Sequence, residues 1–445
     1  MFDFRSPAGR RLLQFTLIHV GTALTVVPVT SVLNRVMIAE MGLSSTLVAL
    51  LVTLPYLLSP LQIGFGAVMD RQVAAGGRFV PWTRLGGLLA TVGASLMAFT
   101  VFLIPEGPVL GLAGTVVVFL LWGVGINLSS VAYLALLSAQ ADAQERNRTV
   151  GVMFTAMIAA SIGTGLFLSS QLEAYSQARL TVVLVAVPVI ALVLVLLGGL
   201  GLEGPSASTE GKVQERTSPG LLLRSLRNNP VARRFFGYLM LVLICIHTQD
   251  VLLEPFGAEV LGMPVAATSR LVSIWGAGFL VTMLGGIPLV RRYGERAVSR
   301  AGSCMAAAAF LLISGSGLLG QPYLFMGSVF LLGLGGGLMT QSNLTFMLRM
   351  TVPGARALYI GTWSVANFLG QAMIFVPVSL GESLRILSGS AWLGYAAVFV
   401  LEGAGIIGAI FLLRSIRVEA FQRKANEQLP EPPAKQAEPV GVPLG

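Results

Sequence analysis

His247, Asp250 and Glu254 fall within the nine residues HTQDVLLEP, in a chain where only 11% of residues are Asp, Glu, Lys or Arg. At about 100° per residue, a helix puts them at roughly 0°, 300° and 340°, on one polar stripe about 60° wide. Three chemistries fit that stripe. A carboxylate beside an imidazole can relay protons. A neutral imidazole whose second nitrogen is held by Asp250 can ligate the central magnesium of a chlorin pigment. Alternatively, His247 and Asp250 simply satisfy each other or a neighbouring helix.

The elements around the stripe are apolar. Of 445 residues 55% are hydrophobic, and the mean hydropathy is +0.80, beyond what a soluble surface tolerates. Apolar runs of about 20 residues, enough to cross roughly 30 Å of hydrocarbon, recur along the chain. The spacing predicts twelve, beginning with 12–37 and ending with 391–413, and none of the ten-residue alternation of a membrane β-barrel. The fold class expected is an all-α membrane protein, twelve transmembrane helices in two pseudo-symmetric six-helix halves. The halves are 1–202 and 233–416, joined by a polar cytoplasmic linker at 203–232 and followed by a disordered cytoplasmic tail at 417–445. Matches at fixed offset support the repeat: Gly42 with Gly262, Gly66 with Gly286 and Arg71 with Arg291 are each 220 apart.

The net charge of +9 does not indicate nucleic acid. Of the 29 Lys and Arg, 25 fall at the ends of the chain or in the even-numbered connections, while Arg179, Arg270 and Arg385 alone fall in the odd-numbered ones. By the positive-inside rule both termini are cytoplasmic, and the basic loops face anionic lipid. The first apolar run reads as a retained span rather than a cleaved leader. Cys245 and Cys304 lie in spans without metal or redox spacing and read as packing residues. No metalloprotease helix, nucleophile elbow or Cys/His cluster occurs, so no enzymatic chemistry is expected.

Polar residues inside spans each cost about 2.5–3.5 kcal/mol when charged, and so need partners or a wet cavity. Asn34 and Arg35 lie deep in span one, and at the 220-residue offset Glu254 corresponds to Asn34. An Arg35–Glu254 ion pair closing the outer side of the central cavity is therefore expected. Asn34, Gln249, Phe256, Gln341, Asn343, Asn367 and Gln371 are candidates to line that cavity; for the pairs in spans ten and eleven, bonding between helices is the competing reading. His19 reads as a satisfied packing residue, and Glu402 has no evident partner. GLGGG at 333–337 lies mid-span and signals close helix packing.

The loop after span two, GAVMDRQVAAGGR, carries Gly66, Asp70, Arg71, Gly77 and Arg78. It resembles the G-x-x-x-D-R-x-G-R signature of the major facilitator superfamily, with a longer interval before Gly77. The resemblance implies a close helix approach at Gly66 and an ion pair from Asp70 to Arg146 or Arg148. That fold holds its substrate between the halves near midplane.

A narrower resemblance lies in HTQDVLLEPFGAEVLGM, LNRVMIAEMGLSSTLVALLVTLPYLLSP and ERNRTVGVMF. From about residue 5 to 415 the chain is similar to the bacteriochlorophyll-delivery branch, the PucC-like and LhaA-like light-harvesting assembly proteins. Where relatives often have Tyr after the Glu-Pro pair, this chain has Phe256. The resemblance implies a role in antenna assembly, with bacteriochlorophyll or chlorophyll as cargo rather than a fixed cofactor. Light-harvesting antenna polypeptides, pigment-synthesis enzymes and membrane lipids are the implied partners, in a bacterial inner or intracytoplasmic membrane. His247 would then ligate magnesium, with no other metal site.

Overall fold

The computed structural model describes residues 6–140, 143–202, 227–352 and 356–427. Among them, eleven helices are long and apolar enough to cross a membrane, and a shorter apolar helix spans Ser45–Leu57. The chain is all-helical there, as the apolar runs require.

α1 (Pro7–Leu24) begins on a Ser6 cap and continues through two π-helical turns, Pro28–Leu33 and Val36–Glu40. Next come α2 (Ser45–Leu57), α3 (Leu61–Ala74), α4 (Val80–Thr100), α5 (Pro108–Gln140), α6 (Ala143–Gln171) and α7 (Gln177–Gly198). The second group is α8 (Pro230–Glu259), α9 (Val265–Ser269), α10 (Leu271–Tyr293), α11 (Glu295–Leu319), α12 (Pro322–Arg349), α13 (Arg356–Ala372), α14 (Phe375–Ser388) and α15 (Ala391–Arg414). α16 (Val418–Glu427) follows. Within the first group α4 packs on α5 and α7, and α1 on α6 and α7; within the second, α12 packs on α10 and α11, and α15 on α8, α11 and α14. The groups meet where α6 packs on α9 and α10, and where α2 packs on α13 and α14.

Small residues set these approaches. A Cβ at Gly335 would fall 2.7 Å from the Gly302 carbonyl of α11, and one at Gly337 2.5 Å from the Phe279 carbonyl of α10, so the GLGGG run wedges α12 between two neighbours. Gly42 and Gly262 close α1 and α8 with φ of 67° and 63°, a conformation that favours glycine. The offset pair thus does the same job in both groups.

Two expectations about boundaries change. Residues 203–226 of the expected linker lie outside the described residues, but from Pro230 the chain is already in α8, started by Asn229, whose side chain accepts from the amides of Val231 and Ala232. The expected disordered tail also contains order. In α16, Val418, Phe421 and Ala425 are buried on one helical face, and the Phe421 ring meets Tyr359 edge-on at 4.8 Å. Asn229 donates to the Phe421 carbonyl at 3.2 Å, which ties α16 to the start of α8. The apolar spacing was legible in VEAFQRKANE, but its charge masked it. Residues 428–445 lie outside the described residues.

Candidate functional site

The LVLICIHTQDVLLEP stretch forms the middle of α8, buried on most sides. His247 Nδ1 and Asp250 Oδ2 lie 2.9 Å apart, one helical turn apart on the same face. Gln249 donates to the other carboxylate oxygen at 2.5 Å. Asp250 therefore accepts on both oxygens, which fixes the proton of a neutral imidazole on Nδ1 and leaves the Nε2 lone pair free to bind. Nε2 has no hydrogen-bond partner among the described residues. The His247 and Asp250 side chains are 32% and 41% exposed, unlike the core around them.

Glu254 separates from this pair. It is buried, at 5% exposure, whereas the helical stripe placed all three groups together. The expected Arg35–Glu254 ion pair is not formed. Arg35 instead bonds Glu40 at 2.6 Å and the Met263 carbonyl at 3.2 Å. The cause lies in the backbone. Residues five apart lie on different faces of an α-helix, but i→i+5 hydrogen bonding, seen from the Met41 amide to the Val36 carbonyl at 3.0 Å, stacks them one turn apart. The π turn thereby delivers Glu40 to Arg35.

The side remote from the start of α1 and from α16 is bridged by bonds the charge pattern did not reveal. Glu382 of α14 accepts from both the amide and the hydroxyl of Ser45 at the start of α2. Arg385 pairs with Glu259 at 2.7 Å, and Tyr395 donates to the same carboxylate oxygen at 2.9 Å. On the other flank Arg270 donates to Ser169 at 2.7 Å, and Ser273 to the Ile162 carbonyl at 2.8 Å. Asn34 donates to the Val251 carbonyl at 2.8 Å, joining span one to α8. The available signal was Arg385 and Arg270, two of the three basic residues in the odd-numbered connections.

Several expected cavity-lining residues are packing groups instead. Asn34 and Phe256 are fully buried, Phe256 among the rings of Phe325, Tyr395 and Phe399. Gln249 is 3% exposed and turned onto Asp250. Asn343 accepts from Tyr238 at 2.7 Å, bonding α12 to α8, and Gln371 donates to Asn367 at 2.7 Å within α13. Gln341 lies against Gly286. His19 is only half satisfied: Nδ1 meets the Tyr133 hydroxyl at 2.7 Å, while its enclosed Nε2 has no partner. Both Glu402 oxygens are likewise buried without a hydrogen-bond partner.

In the loop motif, Arg71, Arg78 and Arg148 are exposed, while the side chains of Asp70 and Arg146 lie outside the described residues. A Cβ on Gly66 would meet Val131 at 3.8 Å, an ordinary contact, so close approach does not require glycine there. The tight turn belongs to Gly76, at φ 90°, one residue before Gly77.

The family model described as PUCC protein matches residues 32–421. The chain belongs to the PUCC protein family. It is 29% identical over 422 residues to a PucC protein of Cereibacter sphaeroides, covering 91% of this chain and 90% of that one. It is 28% identical over 432 residues, 92% of this chain and 88% of the other, to an uncharacterized protein of the puhA-bchM intergenic region of Rhodobacter capsulatus. A relative from the same organism named bacteriochlorophyll synthase 44.5 kDa chain is 29% identical over 276 residues, 62% of this chain and 63% of that one. Solved transporters share the fold of this PUCC chain. A nucleoside transporter, NupG, matches with a TM-score of 0.65 and 16% identity, over 91% of this chain and 98% of that one. A bacterial homologue of the iron transporter ferroportin, in an inward-facing state, matches at 0.68 and 13%, over 92% and 98%. These neighbours are of major facilitator type, and the PUCC chain is a multi-pass membrane protein.

Proposed function

We propose that this protein assists assembly of photosynthetic light-harvesting complexes by binding bacteriochlorophyll within the membrane and passing it to antenna polypeptides. In this reading twelve spans form two six-helix halves, α2 with α3 making the second span and α13 with α14 the eleventh, and both termini are cytoplasmic. The carrying observation is the His247–Asp250 pair, part exposed in the middle of α8, with Nε2 unengaged. A carboxylate behind an imidazole orients the ring and raises its basicity, as behind metal-bound histidines generally. The names of the relatives, PucC and a bacteriochlorophyll synthase chain, point the same way. The protein itself binds and hands over; the chemistry of pigment synthesis belongs to partner enzymes.

The test uses a phototrophic host lacking its own relative. Wild-type protein restores antenna absorbance in the membranes; His247→Ala, at equal protein level, leaves it at the deletion level. Full restoration by His247→Ala would remove the site from the function.

A second reading, proton-coupled export of an amphipathic molecule, is favoured by a specific arrangement. Glu254 and Glu402 are both buried, and neither Glu402 oxygen has a hydrogen-bond partner. With Asp250 one helical turn before Glu254 on α8, these carboxylates offer sites for a translocated proton. Flux of an amphipathic dye from vesicles, driven by a proton gradient and abolished by Asp250→Asn, would support it.

A further inference from the structure

The second and eleventh spans are each interrupted. α2 gives way to α3 across Leu58–Pro60, and α13 to α14 across Met373–Ile374. The arms reaching the bridged side are 13 residues (α2) and 14 residues (α14). At 1.5 Å per residue both breaks lie about 20 Å below that side, and His247 lies at about 18 Å along α8. Two breaks thus flank the site at its own depth.

The first break is built. Pro55 and Pro60 both fall around it, and Asn127 of α5, itself 4% exposed, donates to the Pro55 carbonyl at 2.9 Å and the Gly123 carbonyl at 2.8 Å. Gln62, just past the break, donates to the Asn127 side-chain oxygen. A single amide therefore satisfies main chain that an interrupted helix would otherwise leave bare in hydrocarbon, and fixes the angle at which α3 departs. α2 packs on both α13 and α14, whereas α3, beyond the break, packs on α5. The two spans therefore part along α3. Leu57 and Leu61 lie at the break of one span, Leu369 and Met373 at or near that of the other, all between 36% and 48% exposed. α2 and α13 both pack on α8, so the gap lies beside the helix that carries His247.

We propose that the gap between α3 and α13 is a lateral portal through which an esterified, lipid-dissolved chlorin reaches His247 directly from the bilayer. The proposal rests on the pigment-binding reading above and adds the route. Its rim is apolar, which suits a macrocycle with a hydrocarbon tail that never leaves lipid, and the Ser45–Glu382 bonds tie the two groups together on the far side.

The test is a loading rate. Purified protein is reconstituted in phosphatidylcholine liposomes containing bacteriochlorophyll, and binding is followed by the pigment absorption shift. Leu61→Trp and Leu369→Trp narrow the gap without touching His247. Loading from the bilayer is expected to slow tenfold or more in each, with the pigment-to-protein ratio at equilibrium in detergent unchanged. Met373→Trp replaces either variant that fails to give monodisperse protein. Wild-type loading rates in the variants overturn the portal and leave pigment binding intact; a wild-type protein that takes up no pigment overturns both.

Discussion

Arg35 and Glu40 are five residues apart, a spacing at which α-helical side chains do not meet, and the sequence therefore directed Arg35 across the interface to Glu254. The π turn redirects it. Nothing in NRVMIAE announces i→i+5 bonding, which is why the depth of Arg35 was legible and its partner was not. Arg35 is 5% and Glu40 41% exposed at the side chain, so solvent screens the pair. A double-mutant cycle of Arg35→Met with Glu40→Gln should return a coupling of about 1 kcal/mol. The cycle with Glu254→Gln should return less, measured by thermal unfolding in detergent. A larger coupling to Glu254 would restore the ion pair first read from the sequence. The His247–Asp250 contact, by contrast, follows from i, i+3 spacing on a regular helix and was among the readings that spacing offered.

At the scale of elements, the sequence announces where helices touch through its small residues. GLGGG on α12 reads correctly as packing, and the structure shows the reason atom by atom: a methyl added at Gly333, Gly335 or Gly337 would strike neighbouring main chain, whereas one at Gly336 would make only ordinary contact with the Phe279 and Trp275 rings. Gly335→Val should accordingly prevent recovery of monodisperse protein, because overpacking against backbone exceeds the roughly 1–3 kcal/mol of an ordinary core insertion. Gly327→Ala, on the same helix with open space around its Cβ, should be neutral or slightly stabilising. Comparable size-exclusion profiles for the two would contradict the packing account. Gly66 shows the limit of reading glycines by motif alone, since its surroundings accept a methyl. The interrupted spans were harder to see. Pro55 and Pro60 mark the first, but Asn127, which stabilises it, is remote in sequence, and the second break carries no proline of its own until Pro377.

At the scale of the whole molecule, hydropathy and the basic-loop bias carried the helical membrane fold. They could not show which side of the molecule is shut, because closure depends on a few uncharged or paired groups at the ends of spans. Ser45–Glu382 and the Glu259–Arg385–Tyr395 set hold α2, α8, α14 and α15 together there. Breaking them should favour an arrangement open on that side. With Cys245 and Cys304 replaced by Ser, a cysteine at Leu252, 2% exposed beneath this network, should react slowly with a maleimide. Adding Arg385→Ala or Glu382→Ala should speed the reaction tenfold or more. Equal rates would show that the network does not gate. The central claim, pigment held at His247, is tested most directly by the chlorin content of protein purified in mild detergent from a pigment-producing host. Wild type should carry close to one chlorin per chain, Asp250→Asn less, and His247→Ala none. A wild type without chlorin, or a His247→Ala protein that retains it in full, would contradict the assignment.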